Sequence, residues 1–255
     1  MAKVVCICNQ KGGVGKTTTA VNLASCLAVK HKKVLLVDID PQANATSAVG
    51  IEKRGVEKST YQLFIRSYPI QEIILPSQID NLDVVPSNLH LTGVEVELVD
   101  QPRREYILRE TLSPVREKYD FIIIDSPPSL SLLAINGLVA ADSVMIPLQC
   151  EYLAMEGLSQ LLDTIRLVRD NLNEALEIEG VLLTMADMKT RLSREIVAEV
   201  RNFFGEKVYK TVIPRNIALG EAPSFGKPIV LYDKLSLGAA RYSALAEEVL
   251  AGHHK

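Results

Sequence analysis

The chain has 255 residues, 47% of them hydrophobic and 23% charged, with a formal net charge of −3. Those values suit one α/β unit with a sizeable core and exclude the disordered and fibrous classes. They also exclude a chain that coats nucleic acid with its whole surface, although a local basic patch stays open because steering depends on where charge sits.

The first apolar run covers residues 4–8 and carries Cys6 and Cys8 at alternate positions, hence on one face of a strand. With Cys26 and Cys150 they read as small buried hydrophobes in a reducing compartment, since no second pair stands at metal-ligand spacing. Nothing at the start has the charged region and long apolar run of a signal peptide. No stretch approaches the roughly 20 apolar residues of a membrane span, so the expected location is the cytoplasm. Further apolar runs follow at 34–37, 82–85, 121–124, 144–146, 181–183 and 212–213, most of them continuous, as in strands covered on both faces. Helical spacing appears between and after them, at 17–30, 103–118, 155–171, 193–204 and 236–251. This alternation predicts an α/β fold: a doubly wound, mainly parallel sheet with right-handed crossovers and helices on both faces. No repeat or Pro/Gly-rich linker divides residues 1–255, which are read as a single domain.

Ligands of such sheets collect at the carboxyl ends of the strands, and the special residues fall there. Residues 10–18 follow the first run, Asp38 and Asp40 the second, Asp125 and the Ser-Pro-Pro after it the fourth, and Pro214-Arg215-Asn216 the last. That convergence predicts one shared site.

Residues 11–18 read Lys-Gly-Gly-Val-Gly-Lys-Thr-Thr between a strand and a helix. Such a segment folds into a nest of backbone N–H groups facing phosphate oxygens, reinforced by the positive end of the helix. It is a phosphate loop formed by Lys11, Gly12, Gly13, Val14, Gly15, Lys16, Thr17 and Thr18. Lys16 is expected on the β- and γ-phosphates and the Thr17 hydroxyl on Mg²⁺. The chain departs from the ordinary pattern at Gln10, where a glycine is usual, and adds Lys11 before the first glycine. Since Lys16 already serves this loop, Lys11 suits charge stabilisation on a second subunit's nucleotide, the task of an arginine finger elsewhere.

This deviant loop resembles that of the ParA/MinD class of ATPases, and the resemblance spans essentially the whole chain. The segments 37–46, 121–129, 151–158, 212–216 and 221–224 resemble ParA/Soj, the last three setting it apart from MinD. The resemblance implies a P-loop ATPase that uses ATP and Mg²⁺, with Lys11 acting across a nucleotide-sandwich homodimer. It implies that Asp40 positions the attacking water and that Pro214 and Asn216 contact adenine. Asp125 ends an apolar run, as the metal-site aspartate of phosphate-loop enzymes does, with a water between it and the ion. Asp38 is left with two readings: contact with Lys16 or the metal shell, or a cap on the following turn.

Partners divide this class. A membrane-cycling, MinD-like chain needs basic residues on a C-terminal amphipathic helix, whereas this one carries Glu247 and Glu248 there. An iron–sulfur bridge would need a cysteine near a strand end, and Cys150 alone comes near one. Lys189, Arg191, Arg194 and Arg201 form a basic cluster suited to phosphate contacts without base readout, although Glu195 and Glu199 share the helix. Soj-like chains commonly carry arginine two residues after the asparagine of Pro-Arg-Asn, where Ala218 stands here. The resemblance implies nonspecific DNA binding by the ATP dimer, a ParB-type centromere-binding partner and association with the nucleoid, in chromosome or plasmid partition. The rival reading is a ParA-like ATPase that positions a protein cargo.

Overall fold

The computed structural model describes residues 1–151 and 156–252, apart from the side chains of residues 156 and 157. Among the described residues seven strands form one sheet: β1 (Lys3–Ile7), β2 (Val34–Asp38), β3 (Leu75–Pro76), β4 (Leu82–Val85), β5 (Phe121–Asp125), β6 (Ser143–Gln149) and β7 (Glu177–Thr184). Their order is β3-β4-β2-β5-β1-β6-β7, and only the two-residue edge strand β3 runs antiparallel. Every residue of β2 is buried, as a parallel strand covered on both faces requires.

Alternate residues of each strand feed different layers. Val4, Cys6, Leu35, Val37, Ile122 and Ile124 point into one apolar layer. It is shared with α3 (Thr60–Phe64), α4 (Val94–Glu97), α5 (Ile107–Leu112), α6 (Leu132–Ala140), α7 (Glu156–Asn171) and α8 (Arg191–Phe204). Val5, Ile7, Val34, Leu36 and Ile123 point into the opposite layer. That layer is built with α1 (Lys16–Val29), α2 (Asn44–Ala48), α9 (Ile217–Glu221), α10 (Ile229–Tyr232) and α11 (Leu237–Ala251). The doubly wound sheet expected from the sequence is therefore the observed fold. All four cysteines are buried and none forms a disulfide.

Two expectations need correction. Residues 103–118 are not one helix: α5 covers six residues and gives way to a 3-10 stretch at Ser113–Lys118. Pro114 explains the break, because it has no N–H to donate and its ring crowds the carbonyl four residues back. Residues 212–213 are not a regular strand either. Residues 208–214 run beside β7 and the residues after it without joining the ladder: isolated bridges link Val181 with Val208 and Ala186 with Pro214, and the Ile213 amide donates to the Leu183 carbonyl at 2.9 Å. Between them the Lys210 and Thr211 amides turn to the Glu248 carboxylate, at 2.6 and 3.0 Å.

Candidate nucleotide site

The carboxyl ends of β1, β2, β5 and β7 converge on residues 9–16. Gly13 and Gly15 have φ of +75° and +91°, a region costly to side chains, and these two turns wind the loop. Gln10 is absent from the positive-φ positions, so a side chain there carries no backbone penalty. Neighbouring strands tie the loop down. Asn9 donates to the Pro147 carbonyl at 2.7 Å and accepts from the Lys11 amide at 3.0 Å. Thr184, at the end of β7, donates to the Val14 carbonyl at 2.8 Å.

Lys16, first residue of α1, is buried and donates to the Lys11 carbonyl at 2.9 Å. Burial holds its pKa below the ordinary lysine range, against the pull of Asp125, Cys8 and Asp40. Thr17 and Thr18 follow it on the same turn. Asp125 lies at the end of β5, fully buried, and neither of its oxygens has a hydrogen-bond partner among the described residues. Burial first, then the Asp38 charge, push its carboxyl well above the usual range, while the Thr17 hydroxyl and Lys16 oppose them. A buried carboxylate with no neighbour to satisfy it but a threonine hydroxyl suits a hard, oxygen-seeking cation, so Thr17 and Asp125 fit Mg²⁺.

Asp38 resolves to the capping reading. Its carboxylate accepts from the Thr46 amide at 2.8 Å, the Thr46 hydroxyl at 2.7 Å and the Asp40 amide at 3.1 Å. Burial lifts its pKa to about 6 despite these bonds. It braces the turn that presents Asp40. Asp40 lines a chamber of about 320 Å³ with Gly12, Gly13, Lys16, Thr17 and Pro128.

A second cavity of about 400 Å³ adjoins that chamber through Gly15, Thr18 and Met185, and is lined by Ile213, Pro214, Asn216 and Tyr242. The Asn216 Oδ1 is used within the chain, accepting from the Leu219 amide at 3.1 Å as the cap of α9. Its amide nitrogen remains as a donor. The two cavities form one cleft with a phosphate-sized end and an apolar end. Thr184 and Met185 escaped the sequence reading, although the strand-end rule that found Asp40 and Asp125 also points to the close of β7.

Lys11 lies at the mouth, its side chain 36% exposed and 3.9 Å from the Glu151 carboxylate. Glu151 also accepts from Gln149 at 2.6 Å and Arg215 at 3.1 Å. Residues 152–155 of the resembling segment 151–158 lie outside the described residues.

A family model described as an AAA domain matches residues 2–178. Over 251 residues, covering 98% of this chain and 99% of the relative, the sequence is 57% identical to the sporulation initiation inhibitor protein Soj of Bacillus subtilis. The chain belongs to the Soj/ParA family. A chromosome partitioning protein ParA of Myxococcus xanthus is 52% identical over 98% of this chain and 88% of its own length. Among solved structures, a cobyrinic acid a,c-diamide synthase of Mycobacterium smegmatis with bound ADP and magnesium superposes with a TM-score of 0.87 at 33% identity. The match covers 98% of this chain and 94% of that one. The Soj/ParA chain is a P-loop ATPase.

Of the basic cluster, Lys189, Arg191 and Arg194 lie at the start of α8 or just before it and Arg201 in its last turn, and none of the four lines the cleft. Lys189, Arg191 and Arg194 are exposed, but not equally available. Arg191, which opens the helix rather than preceding it, is paired with Glu195 at 2.6 Å. Arg194 donates to the Met188 and Lys189 carbonyls, both at 3.1 Å. At the C-terminal helix, Glu247 pairs with Lys30 and Glu248 holds two backbone amides. Among the described residues no helix is long and apolar enough to cross a membrane.

Proposed function

We propose that residues 1–255 act as one ATP-driven switch in DNA segregation, a cytoplasmic, nucleoid-associated ATPase that closes into a homodimer around two Mg·ATP. The orphaned Asp125 carboxylate beside Thr17 and Lys16 carries this reading. Mg²⁺ supplies charge neutralisation on the phosphates when bound. Around it the chain's own residues orient and exclude: the loop amides and Lys16 hold phosphate, Pro214 and Asn216 meet adenine, and Asp40 positions water. Lys11 is not needed for the phosphates of its own loop, which Lys16 serves, and its exposure at the mouth supports a role on the partner's nucleotide. ATP closure would bring two copies of the Lys189, Arg191 and Arg194 patch onto one DNA-binding assembly. A ParB-type partner that stimulates turnover completes the proposal, as the sequence resemblance implies. The Arg191–Glu195 pair favours a second reading, a scaffold for protein cargo with little use for DNA.

The test is sedimentation with and without ATP and Mg²⁺, together with retention of random-sequence duplex DNA. A dimer that forms only with ATP and holds DNA at low salt is expected. A monomer throughout overturns the sandwich, and an ATP dimer indifferent to DNA leaves the cargo reading.

A further inference from the structure

The phosphate chamber has a side room. Between α1, α2 and residues 222–228 lies a cavity of about 380 Å³ whose walls include Thr17, Thr18 and Asn44. The same three residues line the phosphate chamber, so the two spaces meet at the turn that faces the metal and γ-phosphate end. Beyond them the walls carry Ser47, Ser224 and Lys227. No carboxylate among the described residues lines this room, whereas Asp40 lines the chamber next door. The Ser47 hydroxyl is engaged on the Ala43 carbonyl at 3.0 Å and the Asn22 amide on the Thr18 carbonyl at 2.8 Å, which leaves Lys227, the Ser224 hydroxyl and the Asn44 amide as donors to the room. One lysine with such donors and no competing negative charge is the chemistry of an oxyanion site. The volume equals roughly ten waters' share of liquid, enough for a phosphate and part of its hydration shell.

The mouth of the main chamber is formed by Gly12 and Gly13, both exposed, and in the proposed dimer the partner's loop covers it. Product phosphate then needs another path. None of Ser47, Ser224 and Lys227 belongs to the phosphate loop. We propose that this side room receives inorganic phosphate after hydrolysis, with Lys227 as its cationic contact, and is the path by which phosphate leaves while the dimer stays closed. The inference rests on the ATPase dimer reading and adds to it where the product goes.

The experiment measures inorganic phosphate binding to protein saturated with ADP and Mg²⁺, by ³¹P line broadening, for the wild type and for Lys227→Ala, Lys227→Glu and Lys227→Arg. Affinity for a fluorescent ATP analogue is measured in parallel. Lys227 is exposed, so the variants are expected to fold, and circular dichroism checks this. Loss of one charge-assisted contact should weaken phosphate binding about tenfold or more in Lys227→Ala. Lys227→Glu should abolish it, Lys227→Arg should restore most of it, and ATP affinity should hold in all. Equal phosphate affinity in wild type and Lys227→Glu overturns the proposal, because the ion then sits in the phosphate loop. So does an absence of phosphate binding by the wild type. Loss of ATP binding by the wild type would instead strike the nucleotide reading itself. In single turnovers of the wild type, phosphate release measured by a reporter protein should precede dimer separation; release that waits for separation overturns the exit path.

Discussion

Salt dependence of DNA binding offers a graded test of the basic patch, because the structure sorts its cations. Arg191 is 86% exposed but faces Glu195 at 2.6 Å, so its charge is largely cancelled. Lys189, Arg194 and Arg201 remain, which makes six cations in a two-fold dimer. Counterion release contributes a slope of about −0.9 in log K against log salt for each phosphate neutralised. The wild-type ATP dimer should therefore give a slope of about −5. Glu195→Gln frees Arg191 in each subunit and should steepen the slope to about −7. Replacing Lys189, Arg191 and Arg194 together by Ala leaves Arg201 alone and should flatten it to about −2. An exposed i,i+4 pair is worth at most about 1 kcal/mol, so Glu195→Gln acts on charge and barely on stability. The assay is fluorescence anisotropy of a random duplex titrated over a range of KCl, in an Asp40→Ala background that holds the dimer closed. Three coincident slopes would refute the assignment of DNA contacts to this patch. A triple mutant that lost ATP binding would show that the substitutions damage the fold.

The cleft yields further predictions. Lys16→Ala removes the main cationic partner of the β- and γ-phosphates and should weaken a fluorescent ATP analogue by at least about tenfold; affinity at the wild-type level would sink the phosphate-loop assignment. Lys11→Ala should leave monomer nucleotide binding intact but abolish the dimer and hydrolysis. Gly12→Val should do the same for a steric reason, since its own subunit has open space at that Cβ; light scattering that reports a normal ATP dimer for either counts against contact across the interface. Asp40→Ala should retain ATP and persist as a dimer with almost no phosphate release, whereas Asp38→Asn weakens the bracing of the turn and should cost about 1–3 kcal/mol in a urea melt. If Asp40→Ala turned over at the wild-type rate, water positioning would belong to another group.

The phosphate loop was legible because its chemistry is local: glycines, lysines and threonines within eight consecutive residues dictate the turn and its charge. Asp125 was legible for a related reason, as a charge placed where a buried apolar run ends. Asp38 and Asp40 have the same residue type and strand end, and only the position of the Thr46 amide and hydroxyl separates their roles. The 212–213 run has a strand's composition, yet its neighbouring amides at 210 and 211 are captured by Glu248, some forty residues further on. Nor could sequence alone decide the basic patch, because pairing of Arg191 with Glu195 is a choice of rotamers rather than of spacing. The side room is built from three separate segments and has no motif at all.

The ties between the phosphate loop and its surroundings bear on how fast a nucleotide is captured. Asn9 reaches β6, Thr184 reaches back from β7, and the Ser126 hydroxyl holds the Ile7 carbonyl at 2.8 Å. A loop tied to two neighbouring strands, on a strand end that is itself held, has already surrendered its conformational freedom during folding, so little ordering entropy is left to oppose the ligand. Capture should then follow the kinetics of a rigid receptor, with a single bimolecular phase and no preceding isomerisation, and the slow events of the cycle are displaced to the meeting of two loaded subunits.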